Sequence, residues 1–330
     1  MDIKNNSRFK HTAAPIFLWL VLSFSILQYI YSVAKLPFRA VFEDFGHFYY
    51  YSRALEGFER QKDAATPEQI FYTLLGEAVN PPYKDQNYRQ EFPHAWGSAV
   101  HSPIFYILLR PLTHLKYFPA AVLWLFFNQI LLALAILFCI LGCPRKRVSL
   151  VEFTAVIFMV ANFLPLQMNN LLGQTSIIIF FLISWAFYNF ERKKDILSGL
   201  SLGLAVLFRW YPALLIIYFV FKRQFRVVFG SLLTVAIGFA ISIWRLGLPL
   251  HIIQMKYMPS WYFQYTASAM NNLSLSGFFY RLLVRTVAIK LPYPHNLANT
   301  KFIFTRGIID NHFLANFMVL LFSLISSPVI

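Results

Sequence analysis

Glu43 and Asp44 stand side by side at the head of an aromatic run, EDFGHFYYYSRALEG over residues 43–57, about ten residues beyond a long apolar stretch. A carboxylate set among rings at a membrane boundary is partly desolvated, which raises its basicity and keeps it near lipid-borne substrates. Such a group can take the proton from a hydroxyl as a general base. The same two acids can instead cap an amphipathic helix over residues 45–58, and the residue types alone leave both readings open. Cations able to meet a phosphate are few. Arg209 lies in the turn from Phe208 to Pro212, and Arg281, Arg285 and Lys290 lie on a later segment. Arg281 and Arg285 are four apart, so a helix would present them on one face; snorkelling to lipid headgroups is the alternative for Arg285 and Lys290. Gln174, Asn271 and Asn272 can hydrogen-bond a sugar or phosphate, or simply satisfy loop backbone. The histidines are scattered, with His94 and His101 the close pair in a loop, and Cys139 and Cys143 lack CxxC spacing. No metal site and no cofactor are expected from them.

The elements that position these groups follow from composition. Of 330 residues, 58% are hydrophobic, 18% aromatic and only 13% charged, which excludes an ordinary soluble domain. Apolar runs of this length in lipid form helices, since each backbone group must be paired within its own segment. The net charge of +15 resides in short clusters between apolar runs, not on one face of a polar domain, so nucleic acid is not an expected partner. The clusters are Lys4, Arg8 and Lys10, then Arg145 to Arg147, Arg192 to Lys194, and Lys222, Arg223 and Arg226. If all four face the cytoplasm, the spans between them come in pairs.

The chain is then read as an all-α polytopic membrane protein of about eight spans. The first, 16–34, is a retained anchor. Residues 117–142 form the next, 153–190 a two-helix hairpin with a polar outer tip, and 196–221 a hairpin whose arms are too short to cross fully. Residues 227–244 and 311–330 complete the set. Two outer loops containing short interfacial helices, 35–116 and 248–310, hold most remaining polarity. The first has nine of the fourteen Asp and Glu residues. Pro103 to Leu115 is read as interfacial or re-entrant, and the whole chain, 1–330, as one transmembrane domain.

Five stretches occur in an order that resembles the polyprenol-phosphate-sugar-dependent glycosyltransferases of the GT-C fold, most closely the DUF2029 or glycosyltransferase 87 family of mannosyltransferase-like enzymes. They are EDFGHFYYYSRALEG at 43–57, SPIFYILLRPL at 102–112, NNLLGQTS at 169–176, SGLSLGLAVLFRWYPALL at 198–215 and NNLSLSGFFYRLL at 271–283. The resemblance implies a GT-C-like bundle in the inner or plasma membrane, with its site facing outward. A polyprenyl-phosphate sugar would be the donor and a glycan or glycolipid the acceptor, with Asp44 at the family's catalytic aspartate position. The chain departs from the family in having Arg209 where Lys is frequent, and in ending at Ile330 where relatives run on for further spans, as a fragment or shortened member would. Transfer from a lipid phosphate needs one base and a cation for the leaving group, not the carboxylate pair of glycoside hydrolysis. The chain has neither a Gly-rich strand-to-helix turn nor an Asp-x-Asp for a nucleotide sugar. A transporter or lipid flippase is the rival expectation, because short broken helices with buried charge also build transport sites.

Overall fold

Runs without charge, bounded by basic clusters, become helices whose ends fall where polar residues or proline interrupt them. The computed structural model describes residues 3–38, 42–60, 62–66, 70, 101–143, 148–256, 314 and 317–318. All regular structure among these is helical. In order come α1 (Ile3–Ala34) with a 3-10 turn at Leu36–Phe38, α2 (Glu43–Glu59), α3 (Pro103–Thr113) and α4 (Tyr117–Gly142). Then follow α5 (Leu150–Asn162), α6 (Leu164–Leu172), α7 (Ser176–Glu191), α8 (Asp195–Phe208), α9 (Ala213–Phe221) and α10 (Phe225–Leu246). Local chemistry explains the boundaries. Ser149 and Glu152 form a reciprocal capping box at the start of α5, and Pro103 opens α3 at a position where no amide hydrogen is needed.

Pro15–Phe38, Tyr117–Gly142 and Phe225–Leu246 are long and apolar enough to cross a bilayer, and α5 with α6, bent by 50°, forms a fourth, broken span. Their outward faces are apolar, with Phe24, Phe126, Met159 and Leu232 all exposed, as lipid requires and water would not. The chain is a membrane protein. Helices α7, α8 and α9 have 16, 14 and 9 residues, a rise of roughly 24, 21 and 14 Å against about 30 Å of hydrocarbon. The last of the eight expected spans lies almost wholly outside the described residues. Helix α3, at 11 residues, is likewise too short to cross.

The chain divides into two compact units, Met1–Lys62 with Asn80–Leu246, and Asp63–Val79 with Gly247–Ile330. In the second unit the described helix covers 248–256. In the first, α8 and α10 meet along a seam of small residues. A Cβ at Gly199 would lie 2.2 Å from the carbonyl oxygen of Val227, and one at Gly203 2.4 Å from that of Ser231. Backbones approach this closely only where side chains are absent, the usual device for helix pairing in lipid. Helix α7 packs between α4 and α8, and α2 lies on α3. Glu59, at the end of α2, binds Arg110 of α3 and Arg245 of α10, and the Arg110 guanidinium also donates to the Leu55 carbonyl at 3.4 Å. At the same corner the Lys62 ammonium donates to the Trp244 carbonyl at 2.8 Å.

Candidate active site

The aromatic run that opens α2 packs against the rings of α3 and α4. The helix begins at Glu43, earlier than residue 45, and its cap position is taken by Phe42 without a side-chain hydrogen bond. Phe42 adopts the left-handed region, φ 49°, a conformation that costs a bulky residue of order 1–3 kcal/mol and persists only where the surroundings hold it. They do: Phe42 is buried and its carbonyl accepts the Tyr117 hydroxyl at 3.1 Å and the Gly46 amide at 2.8 Å. Asp44 is therefore the second residue of α2, half-buried, within its first turn. Phe45 stacks on Trp124 with ring centroids 5.5 Å apart. The Trp124 indole N–H donates to the Gly173 carbonyl at 2.8 Å, which brings the turn after α6 to the start of α2. Gly173 is required there twice over. Its φ of +73° ends α6, and a Cβ would lie 2.7 Å from that of Phe45.

The turn that follows Gly173 reaches a second polar group. The Thr175 hydroxyl oxygen lies 3.4 Å from Nε of Arg209, which donates to it, and 3.3 Å from Nε2 of His101. An arginine Nε can only donate, so the Thr175 oxygen accepts from Arg209. Burial pushes the pKa of His101 well below 6.5, and the charge of Arg209 pushes it the same way. Position follows from packing: His101 stacks on Phe105 at 4.5 Å and meets Phe48 edge-on at 4.7 Å. The Ser102 hydroxyl donates to the Leu207 carbonyl, tying the head of α3 to the tail of α8. Arg209 follows at the C-cap of α8 in extended conformation. Among the described residues no carboxylate pairs with it, so its terminal nitrogens remain donors for an anion. His47, one turn beyond Asp44, is lowered by burial, partly offset by the Asp44 charge.

Of the residues singled out by the sequence, Gln174 lies half-buried in this turn, Arg209 reaches it through Thr175, and Asp44 precedes Phe45, against which Gly173 packs. Glu43 begins α2, and its side chain lies outside the described residues. So do Asn271, Asn272, Arg281 and Arg285. Asn169 and Asn170 of the NNLLGQTS stretch are structural. Asn169 accepts from the Ser176 amide at 3.2 Å, and Asn170 bonds Gln129 at 3.1 Å and Tyr29 at 3.3 Å. Sequence reasoning missed Thr175 and the placement of His101, which it took for an ordinary loop residue. The available signal was a histidine two residues before a helix-opening proline and a wholly apolar first turn.

An apolar groove of about 480 Å³ runs between α3, α4, α7 and α8, with Leu109, Phe127 and Leu182 along it and Phe105, Trp124 and Phe208 at the polar end. Those three touch or adjoin His101, Gly173 and Arg209. The model of a known family, described as glycosyltransferase family 87, matches residues 100–307, more than half of the chain. The chain belongs to glycosyltransferase family 87. As a family 87 member it is a membrane glycosyltransferase, acting between a sugar donor and an acceptor in a membrane setting. The matched region contains His101, Thr175 and Arg209, whereas Asp44 precedes it. No curated protein and no solved structure matches the chain.

Proposed function

We propose that this family 87 enzyme transfers a hexose, mannose-like in class, from a polyprenyl-phosphate donor to a lipid-linked or cell-envelope glycan. The reaction takes place on the outer face of the inner or plasma membrane, in a GT-C-like bundle of about eight spans. The observation that carries the reading is Arg209, a half-buried cation held by Thr175 at the polar end of an apolar groove, beside the turn that packs on the start of α2. The groove suits an isoprenoid chain, the guanidinium its phosphate, and the half-buried Asp44 an acceptor hydroxyl. In the transfer, the acceptor oxygen attacks the anomeric carbon as the bond from that carbon to the phosphate oxygen breaks. The proton passes to Asp44 and the electron pair leaves with the polyprenyl phosphate, where Arg209 stabilises the growing charge. One displacement inverts the anomeric centre. Glu43, Gln174, Asn271, Asn272, Arg281 and Arg285 are assigned to donor and sugar contacts.

The test is turnover of radiolabelled polyprenyl-phosphate mannose, and of other sugars on the same carrier, in membranes containing the chain. Asp44→Asn keeps the shape and removes the base, so transfer falls at least about a hundredfold while the lipid donor still binds. Glu43→Gln does much less, because neighbouring helical side chains diverge by roughly 100°. Full transfer by Asp44→Asn would end the assignment of the base.

A further inference from the structure

A second charged cluster lies at the other end of α2 and takes no part in the transfer chemistry. Fifteen residues separate Glu59 from Asp44, roughly 22 Å along the helix. There a cavity of about 450 Å³ is lined by Glu56, Glu59, Arg60, Arg110, His114 and Arg245, every one of them ionisable. Glu56 is matched by Arg60 at 3.1 Å. Glu59 alone faces both Arg110 and Arg245, whose side chains are 12% and 38% exposed. Burial opposes ionisation of Glu59, yet the hydrogen bonds from the two guanidinium groups hold its pKa below the ordinary value of 4.5. Among the described residues one negative charge thus stands against two positive ones, with His114 beside them, and a partly desolvated excess cation needs an anion.

Depth identifies the source of that anion. Arg245 is in the last turn of α10, an apolar helix of membrane-spanning length, and its neighbour Trp244 is 74% exposed. An exposed tryptophan at the end of a span marks the headgroup level of a bilayer. We propose that the cavity between α2, α3 and α10 binds the phosphodiester of an anionic bilayer lipid, which completes the charge of the Arg110–Glu59–Arg245 cluster. The planar forks of two arginines suit phosphate oxygens.

The experiment is thermal unfolding of the full chain in a neutral detergent, titrated with short-chain phosphatidylglycerol, with phosphatidylcholine of the same chain length, or with inorganic phosphate. Phosphatidylglycerol should raise the midpoint by roughly 3–6 °C at saturation, and phosphatidylcholine by clearly less. Arg245→Gln leaves Glu59 balanced by Arg110 and should abolish the shift. Glu59→Gln should lower the lipid-free midpoint but enlarge the shift, since the competing carboxylate is gone; a lock with no ligand predicts the fall without any lipid response. If Arg245→Gln does not fold, Arg60→Gln with His114→Gln at the rim should raise the half-saturating lipid concentration about threefold to tenfold. Equal responses to the two lipids, or an undiminished phosphatidylglycerol shift in these variants, would overturn the proposal. Inorganic phosphate giving the whole shift would make this a site for soluble anions and overturn the lipid assignment.

Discussion

The Thr175 hydroxyl stands between two groups: its oxygen receives Nε of Arg209 at 3.4 Å and lies 3.3 Å from Nε2 of His101. The consequence is a direct test of the residue that sequence reading passed over. Thr175→Val has nearly the same shape but leaves Nε of Arg209 without its acceptor, a loss of about 1–3 kcal/mol for a buried donor. Donor KM should rise about tenfold, with a smaller change in kcat, because the guanidinium is misaimed and not removed. Thr175→Ser keeps the oxygen and should stay within about twofold of the parent. Equal kinetics for Val and Ser would mean that the hydroxyl plays no part in holding Arg209. Arg209→Lys should retain part of the activity of the parent, as an ammonium keeps the charge but has no Nε to be held.

Helices α8 and α10 show why close approach and helix propensity must be weighed together. Alanine in place of a helical glycine ordinarily stabilises by up to about 1 kcal/mol. At Gly199 the new Cβ would lie 2.2 Å from a backbone oxygen that cannot turn aside, and overpacking of this kind costs about 1–3 kcal/mol. Gly199→Ala should therefore lower the unfolding midpoint by a few degrees, whereas Gly57→Ala, with nothing within 4 Å of its Cβ, should leave it unchanged or raise it. A stabilised Gly199→Ala would refute the seam. The spans were readable because apolar length is a sum over residues: the run from Tyr117 to Gly142 is α4 to the residue. The faces of those helices were not. In lipid the outward side is as apolar as the core, so Phe105, fully buried, and Leu108, half exposed, look alike in sequence. The burial of His101 was hidden for that reason, as was the start of α2 two residues early, where a strained Phe42 and not a polar cap ends the loop.

For the molecule as a whole, the basic clusters predict which ends of the helices share a side. In a background with Cys139 and Cys143 replaced by Ser, Gly57→Cys on α2 should react with an impermeant maleimide added outside intact cells. Lys193→Cys, in the turn between α7 and α8, should react only after the membrane is opened. Labelling of Lys193→Cys from outside would invert the orientation and the outer-face reading with it. The carboxylate and the cation of the candidate site also belong to different mechanical parts. Arg209 ends a helix fused to its neighbour backbone against backbone, while Asp44 begins a helix held by rings, by the hydroxyls of Tyr49 and Tyr117 and, at the far end, by the ion pairs of Glu59. Asp44 and Glu59 stand about 22 Å apart along that helix, and both ends are anchored. Turning the helix about Glu59 would break the hydrogen bond from Tyr117 to the Phe42 carbonyl and unstack Phe45 from Trp124. The placement of the carboxylate relative to the cation is thus set by packing that is complete before any substrate arrives.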